Sequence, residues 1–340
     1  MKTLRNKKFI DIFAGIGGFR IALEEHGAKC VFSSEIDKYA QQTYSENFSD
    51  EGLYGNIKKI KAKDIPDHNV LCAGFPCQPF SISGRQTGFE HAKGTLFFDI
   101  IRIANEKKPE VLFLENVSNL RSHKDKTTIN EMENLLDQIG YHVNIEIINA
   151  SKFGVPQTRK RVYFVCFRKD LDIQEFYFPK PTNDNIYLED IIINTKENNE
   201  KYRIESDEIY LRDIVETNIK NKLGSIRIGK IGNGGQGNRI YSPKGHAITL
   251  TAHGGGKGAK TGAYLINGIV RKLSPRECAR VQTFPDTFKI PVSDSQAWKQ
   301  FGNSVSINVL KLILEKIEKS LQGAQKKRES QLDFFDDCAS

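Results

Sequence analysis

The sequence predicts an α/β protein: a doubly wound sheet with helices on both faces, carrying a smaller, glycine-rich, mostly β module. Three observations lead there. Residues 9–35 run strand, glycine turn, helix, strand, acid. Short apolar runs then alternate with helix-like segments to about residue 170, and repeated βα units build a sheet covered on both sides. From Thr217 to Arg276 there is no Asp or Glu against eleven Lys or Arg, and these residues hold thirteen of the 27 glycines.

Phe9, Ile10, Asp11, Ile12 and Phe13 form a first buried strand. Gly15, Gly17 and Gly18 make a tight turn, and residues 20–26 have helical spacing that Gly27 stops. Residues 30–35 are a second strand ending on Glu35. This order is a mononucleotide-binding half-unit, in which glycines let the backbone approach a ligand and the acid can accept ribose hydroxyls. Arg20 stands where a dinucleotide fingerprint needs its third glycine. That argues against a nicotinamide or flavin and leaves a nucleoside without a pyrophosphate, S-adenosylmethionine foremost.

Residues 38–48 are helical, and Gly55, Asn56 and Ile57 form a loop able to meet the same ligand. A buried strand at 69–73 runs into Gly74-Phe75-Pro76-Cys77-Gln78-Pro79-Phe80, where two prolines stiffen the backbone around one cysteine. The carboxyl end of such a strand is where open α/β sheets collect ligands and chemistry. Residues 96–106 are a helix, with Phe97, Ile100, Ile101 and Ala104 on one side, and Pro109 follows. A fourth strand at 111–114 leads into Glu115-Asn116-Val117. Residues 129–139 are helical up to Gly140, and 141–148 and 161–167 read as strands joined by a loop carrying Gln157 to Arg161.

Pro179 and Pro181 mark a boundary, followed by a looser Asn/Asp/Glu-rich stretch to about Glu216. After the basic module, Ser274 caps a helix that opens with Pro275. Residues 309–321 place Leu310, Ile313, Leu314, Ile317 and Leu321 on one face, so this helix returns to bury against the first domain. The tail from Gly323 is expected to be disordered. The division is therefore 1–188 with 273–322 as one domain, 189–272 as the second, and 323–340 as the tail.

The composition, 39% hydrophobic and 27% charged, is that of a globular protein. No apolar run reaches the length of a membrane span, and no cleavage signal follows the basic N-terminus, so a cytoplasmic protein is expected. The six cysteines (Cys30, Cys72, Cys77, Cys166, Cys278, Cys338) include no Cys-x-x-Cys pair, which argues against a metal site and against a disulfide framework. Cys30, Cys72 and Cys166 lie in apolar runs as inert core thiols. The net charge of +8 permits a polyanionic partner, and the acid-free module points to nucleic acid, because phosphate contacts need many cations.

Cys77, Glu115, Arg159 and Arg161 form a plausible catalytic constellation. A thiolate nucleophile needs nearby positive charge, and an acid beside an acceptor nitrogen can protonate it as the nucleophile adds. Taken singly, Glu115 reads equally well as a structural strand-end acid, and arginines in such a loop are usually solvated.

Six motifs together resemble the DNA (cytosine-5) methyltransferase family, and within it the bacterial HhaI-type branch. They are Phe9-Ile-Asp-Ile-Phe-Ala-Gly-Ile-Gly-Gly-Phe19, Gly74-Phe-Pro-Cys-Gln-Pro-Phe-Ser-Ile-Ser-Gly84, Glu115-Asn-Val117, Gln157-Thr-Arg-Lys-Arg161, Arg276-Glu-Cys-Ala-Arg280 and Gln300-Phe-Gly-Asn-Ser-Val305. They occur in family order from about residue 9 to 315. The resemblance implies a Rossmann-like S-adenosylmethionine-dependent methyltransferase fold, with 189–272 as the target-recognition domain. It implies that Cys77 attacks C6 of a flipped cytosine, that Glu115 holds or protonates N3, and that Arg161 anchors the base. Phe13, Glu35, Ile57, Pro76, Leu96 and Asn303 would line the cofactor site with the glycine turn. Ile36 stands where an aromatic is expected over the adenine, and Asn56 where an acid is expected. Ser83, Gln236 and Arg239 would enter the DNA, and the loop 81–95 would close over the base with Gly84, Gly88 and Gly94 as hinges. Thr251, His253 and Lys257 depart from the nearest pattern in the reading segment, so the target need not be the implied GCGC.

The expected partner is double-stranded DNA, met by a monomer with no membrane association, and a cognate restriction endonuclease is the natural companion. Rival readings are a tRNA cytosine-5 methyltransferase and a DNA-binding protein without catalysis. The long basic module favours duplex DNA over the first, and the intact Cys77, Glu115 and Arg161 argue against the second.

Overall fold

The computed structural model describes residues 3–48, 52–76, 95–121, 127–182, 184–212, 224–252 and 261–339. The larger sheet has seven strands: β1 (Lys8–Ile12), β2 (Lys29–Ser34), β3 (Leu53–Tyr54), β4 (Val70–Gly74), β5 (Val111–Val117), β6 (Tyr141–Asn149) and β7 (Lys160–Arg168). Their spatial order is β3-β2-β1-β4-β5-β7-β6. β1 to β5 pair in parallel, because α1 (Gly18–Glu25), α2 (Lys38–Asn47) and α3 (Leu96–Lys107) carry the chain back between strands. The 150–159 connection has no crossover helix, so β7 returns antiparallel between β5 and β6.

The chain moves outward from β1 to β3, then crosses to β4 on the other side of β1. The order reverses there, and the crevice outside the carboxyl ends of β1 and β4 is the ligand position in this architecture.

Both sheet faces are buried, which is why the strands read as continuous apolar runs. Phe9, Val70, Cys72, Val111 and Phe113 point into one core with Phe19, Ala22 and Leu23 of α1. The alternate residues Ile10, Ile12, Leu71, Ala73, Leu112 and Leu114 face the other, under Ile100, Ile101 and Ala104 of α3 and Leu135 and Leu136 of α4 (Thr127–Gln138).

The smaller sheet comprises β8 (Ile209–Leu211), β9 (Ile226–Ile231), β10 (Arg239–Ser242), β11 (Ala263–Ile266) and β12 (Ile269–Arg271), ordered β12-β11-β10-β9-β8. Part of the stretch expected to be loose is structured. Thr195 caps α5 (Lys196–Lys201) through its hydroxyl, and β8 joins the sheet edge against β9. Tyr241, Ala247, Leu250 and Tyr264 pack into the large core, so the smaller sheet rests on the larger one's body.

Ser274 and Glu277 form the capping box of α6 (Pro275–Val281). Then come α7 (Asp294–Asn303) and α8 (Ile307–Ala339). α8 returns to the first domain as its apolar face requires: Leu310, Ile313, Leu314, Ile317 and Leu321 are buried, and Glu318 Oε2 lies 2.9 Å from His26 Nδ1. The helix does not stop near 321. It runs to Ala339, through the residues expected to be a disordered tail. Side-chain ties support the extension: Gln325 Nε2 donates to Glu329 Oε1, one turn on, at 2.8 Å, and Lys327 pairs with Asp172 at 2.5 Å.

Candidate active site

The crevice at the strand-order reversal is a cleft of about 550 Å³, within the range of small-molecule sites. Its floor is the turn after β1. Phe13 sits at φ 60, a conformation bulky residues avoid. It is held there by its neighbours: the Ala14 N–H donates to the Ser34 carbonyl and the Gly17 N–H to the Ala14 carbonyl, each at 2.9 Å. Gly15, at φ 56, has open space where a Cβ would stand, so bare backbone faces the cleft. Gly18 also lines it. Gly17 does not: it caps α1 at φ 85, and a Cβ there would run into the rings of Phe48 and Tyr44. Its part is packing behind the turn.

Glu35 follows β2 with both carboxylate oxygens engaged. Oε2 accepts the Gly15 N–H at 2.7 Å, and Oε1 accepts the N–H groups of Ile36 and Asp37 at 2.8 Å each. One carboxylate thus ties the first turn to the second and keeps acceptor capacity on Oε2. Ile36 stands 70% exposed on the rim. Asn56 Oδ1 accepts the Lys58 N–H at 3.0 Å, with Ile57 buried. Pro76, Leu96 and Asn303 complete the wall.

The reactive side follows from strand register. Gly74 at the end of β4 pairs with Glu115 on β5, and Val117, two residues further on the same face, opposes Arg161 on β7. Glu115 is 7% exposed, and its Oε1 lies 3.0 Å from Arg161 Nε. Burial pushes the Glu115 carboxyl above the ordinary carboxylate range, against the pull of Arg161 and Arg159. The sequence points to an acid here; only packing shows that it is held toward its neutral form. Cys77 lies outside the described residues, but the strand that leads to it ends directly across from Glu115.

Arg159 departs from the reading of a solvated loop arginine. It is 2% exposed and donates to three main-chain carbonyls, those of Leu250 (3.0 Å), Gly302 (3.3 Å) and Ser304 (2.6 Å). Burial and the charge of Arg161 pull its pKa below the ordinary arginine value. The chain folds back on this guanidinium because β7 begins one residue later and brings it under α7.

Of the DNA-reading candidates, Arg239 opens β10 and Thr251 packs against Gly302. Gln236 lies in the helical turn Gln236–Asn238. Ser83, His253, Lys257 and the hinge glycines Gly84, Gly88 and Gly94 fall outside the described residues.

Several residues escape the sequence reading. Asn116 Nδ2 donates to the Phe75 carbonyl at 2.9 Å and so holds the start of the cysteine loop to β5. Asp11, in the middle of β1, is fully buried, and burial pushes its carboxyl up to about 8 against the pull of Arg20. The signal for it was a lone acid inside an apolar strand. Among the described residues no cluster of His, Cys, Asp and Glu could hold a metal ion, and no helix is long and apolar enough to cross a membrane.

Residues 7–319 match the family model of C-5 cytosine-specific DNA methylases. The Type II methyltransferase M.HhaI of Haemophilus parahaemolyticus is 52% identical over 323 residues, covering 94% of this chain and 97% of that protein. The Type II methyltransferase M.DsaV of Dactylococcopsis salina is 42% identical, covering 91% of this chain and 85% of that protein. Among solved structures, a DNMT2 mutant of Spodoptera frugiperda is similar in fold, with a TM-score of 0.70 at 19% identity over 93% of this chain and 99% of that one. With its ordered motifs carried on this sheet, and matched from one end of the catalytic body to the other, the chain belongs to the C-5 cytosine-specific DNA methylase family.

Proposed function

We propose that this protein methylates C5 of a cytosine flipped out of a short specific duplex DNA site, through a covalent adduct of Cys77 with C6. We read it as the modification half of a restriction–modification system, acting as a monomer alongside a cognate endonuclease. Family membership carries the coarser statement, a cytosine-5 DNA methyltransferase dependent on S-adenosylmethionine.

The cleft fits that cofactor. Oε2 of Glu35 offers an acceptor to ribose hydroxyls, and Phe13, Ile57 and Leu96 offer apolar surface to a purine. The first turn of α1 has no side-chain cap and no acid, which suits a carboxylate. Ile36 and Asn56 replace the aromatic and acid of the usual pattern with weaker contacts. When bound, the sulfonium supplies an electrophilic methyl group.

The chain's own residues do the rest. The Cys77 sulfur forms a bond to C6 as the C5–C6 π pair moves onto C5. A proton or hydrogen bond from Glu115 to N3 lets the ring accept that charge, and Arg161 fixes the Glu115 carboxyl and the base edge. After C5 is methylated, loss of its proton re-forms the double bond and expels the Cys77 thiolate. Flipping the base costs a few kcal/mol, which contacts from Ser83 in the loop 81–95 and from Gln236, Arg239, Thr251 and His253 in the module 189–272 would offset. The observation that carries this reading is Glu115: a buried carboxyl biased toward its acid form, directly across from the strand that delivers Cys77.

Bisulfite sequencing of DNA from cells expressing the protein tests activity, base and context together, with GCGC as the first site to inspect. Cys77→Ser is expected to abolish methyl transfer while cofactor binding persists. Methyl transfer unchanged in that variant, or transfer to tRNA and not to duplex DNA, overturns the proposal.

A further inference from the structure

Two parts of the molecule with different tasks meet on one side chain. Arg159 Nη1 donates to the carbonyl of Leu250, in the small module, and Nη2 to those of Gly302 and Ser304. The last two flank Asn303 on the cleft wall. Around this fork, segment 156–159 lies along segment 247–250. The Ala247 N–H donates to the Pro156 carbonyl and the Thr158 N–H to the Ala247 carbonyl, both at 2.8 Å. Thr249 Oγ1 donates to the Thr158 carbonyl at 2.6 Å, and the Leu250 N–H to Gln157 Oε1 at 3.0 Å. One residue on, Thr251 packs so closely on Gly302 that a Cβ there would overlap its carbonyl group.

This leaves little room for independent adjustment. A guanidinium is a rigid planar fork, and here it is buried with its carbonyl partners on both parts. A displacement of segment 247–251 therefore reaches the 302–304 turn twice, through the fork and through the Thr251–Gly302 contact. This clamp spends the Arg159 Nη donors on main chain, while Nε has no hydrogen-bond partner among the described residues.

We propose that Arg159 is a positioning residue that clamps segment 247–251 to the Asn303 turn, so that engagement of DNA by the module and binding of the methyl donor in the cleft are coupled. The inference rests on reading 189–272 as the DNA-reading module. Coupling is reciprocal: whatever factor DNA adds to cofactor affinity, the cofactor adds to DNA affinity.

The test is calorimetric titration with S-adenosylhomocysteine, with and without a duplex carrying the site mapped by bisulfite sequencing. Wild-type protein is expected to bind it about tenfold tighter when the duplex is present, within the usual span of such couplings. Arg159→Lys, which keeps the charge and loses the fork, and Gly302→Ala, which wedges Thr251 away, are each expected to reduce that gain to about twofold or less, with the same loss in the titration of duplex. Thr249→Val removes a single hydroxyl bond and is expected to fall between; it carries the test if the other two unfold. A gain that persists in the folded variants, with only kcat lowered, overturns the clamp and returns Arg159 to direct catalysis. A wild-type gain of one overturns it as well. A protein that methylates tRNA and no duplex overturns both the clamp and the reading beneath it, whereas methylation of duplex with an unmoved gain overturns the clamp alone.

Discussion

The Glu115 carboxyl lies 3.0 Å from Arg161 Nε, with side-chain exposures of 9% and 14%. Burial still outweighs the cation, and the acid sits above its ordinary range. Burial therefore favours the protonated form, the one able to hand a proton to a ring nitrogen.

Activity should follow the acid form of Glu115. The raised pKa means that the donor is present at lower pH and lost as pH climbs through that value, so kcat should show a falling alkaline limb. Glu115→Gln keeps a hydrogen-bond donor but no transferable proton. It is expected to lower kcat by about 10²–10⁴-fold and to flatten the limb, as single-turnover rates across pH would show.

Asp11 makes a separate statement about stability. Its folded pKa of about 8 exceeds the ordinary value of 3.8. The stability linked to its neutral form is therefore complete below about pH 3.8 and is lost as pH rises through 8. The slope has an upper limit of about 1.4 kcal/mol per pH unit. Asp11→Asn should remove this slope, so that its melting temperature gains on wild type by a few degrees between pH 6 and pH 8.5. Parallel melting curves in calorimetry would refute the buried neutral acid.

Gly17 is held by conformation and by space at once, at φ 85 with the Phe48 ring where a side chain would go. Gly17→Ala is expected to cost about 1–3 kcal/mol and to weaken cofactor binding by displacing the turn. Gly15→Ala meets open space and should cost no more than about 1–2 kcal/mol. Chemical denaturation of the two variants gives the ordering.

Arg271 and Glu277 form an ion pair at 2.6 Å with no side-chain exposure on either partner. Glu277 Oε2 also accepts the Ser274 N–H at 2.7 Å and Oε1 the Ile193 N–H at 2.9 Å. Arg271→Met alone strands a buried carboxylate and is expected to cost about 3–5 kcal/mol. Arg271→Met with Glu277→Leu should recover much of that, because the unpaired charge is gone. A double variant as unstable as the single one would argue that the hydrogen bonds to Ser274 and Ile193 outweigh the charge.

Much of this was legible in the chain. Phe9 to Phe13, the strand before Gly74 and the strand before Glu115 read as buried on both faces because alternate residues enter two cores and, Asp11 apart, the core-facing positions are apolar. Ser274 before Pro275 announced a helix start, and the structure adds Glu277 as the second half of its capping box. The α8 face was legible for the same reason, since Leu310, Ile313, Leu314, Ile317 and Leu321 recur at helical spacing. The extension of α8 to Ala339 was not: a polar helix with Gly323 inside it has no burial period, and partners such as Asp172 lie far away in sequence.

What the sequence by itself determined is therefore whatever repeats locally or is carried by side-chain identity: the βα order, the glycine turn, the acid after β2 and the ordered family motifs. What only the tertiary structure decided is which way each polar group is spent. Arg159 read as a member of the catalytic constellation with Cys77, Glu115 and Arg161, and taken singly as a solvated loop residue, until its Nη donors met carbonyls 91, 143 and 145 residues away. A main-chain carbonyl is the same at every residue, so no residue type along the chain could mark those three as its partners. Burial likewise pushes the Glu115 carboxyl toward its acid form, because desolvation is a property of everything packed around a group and not of the group itself.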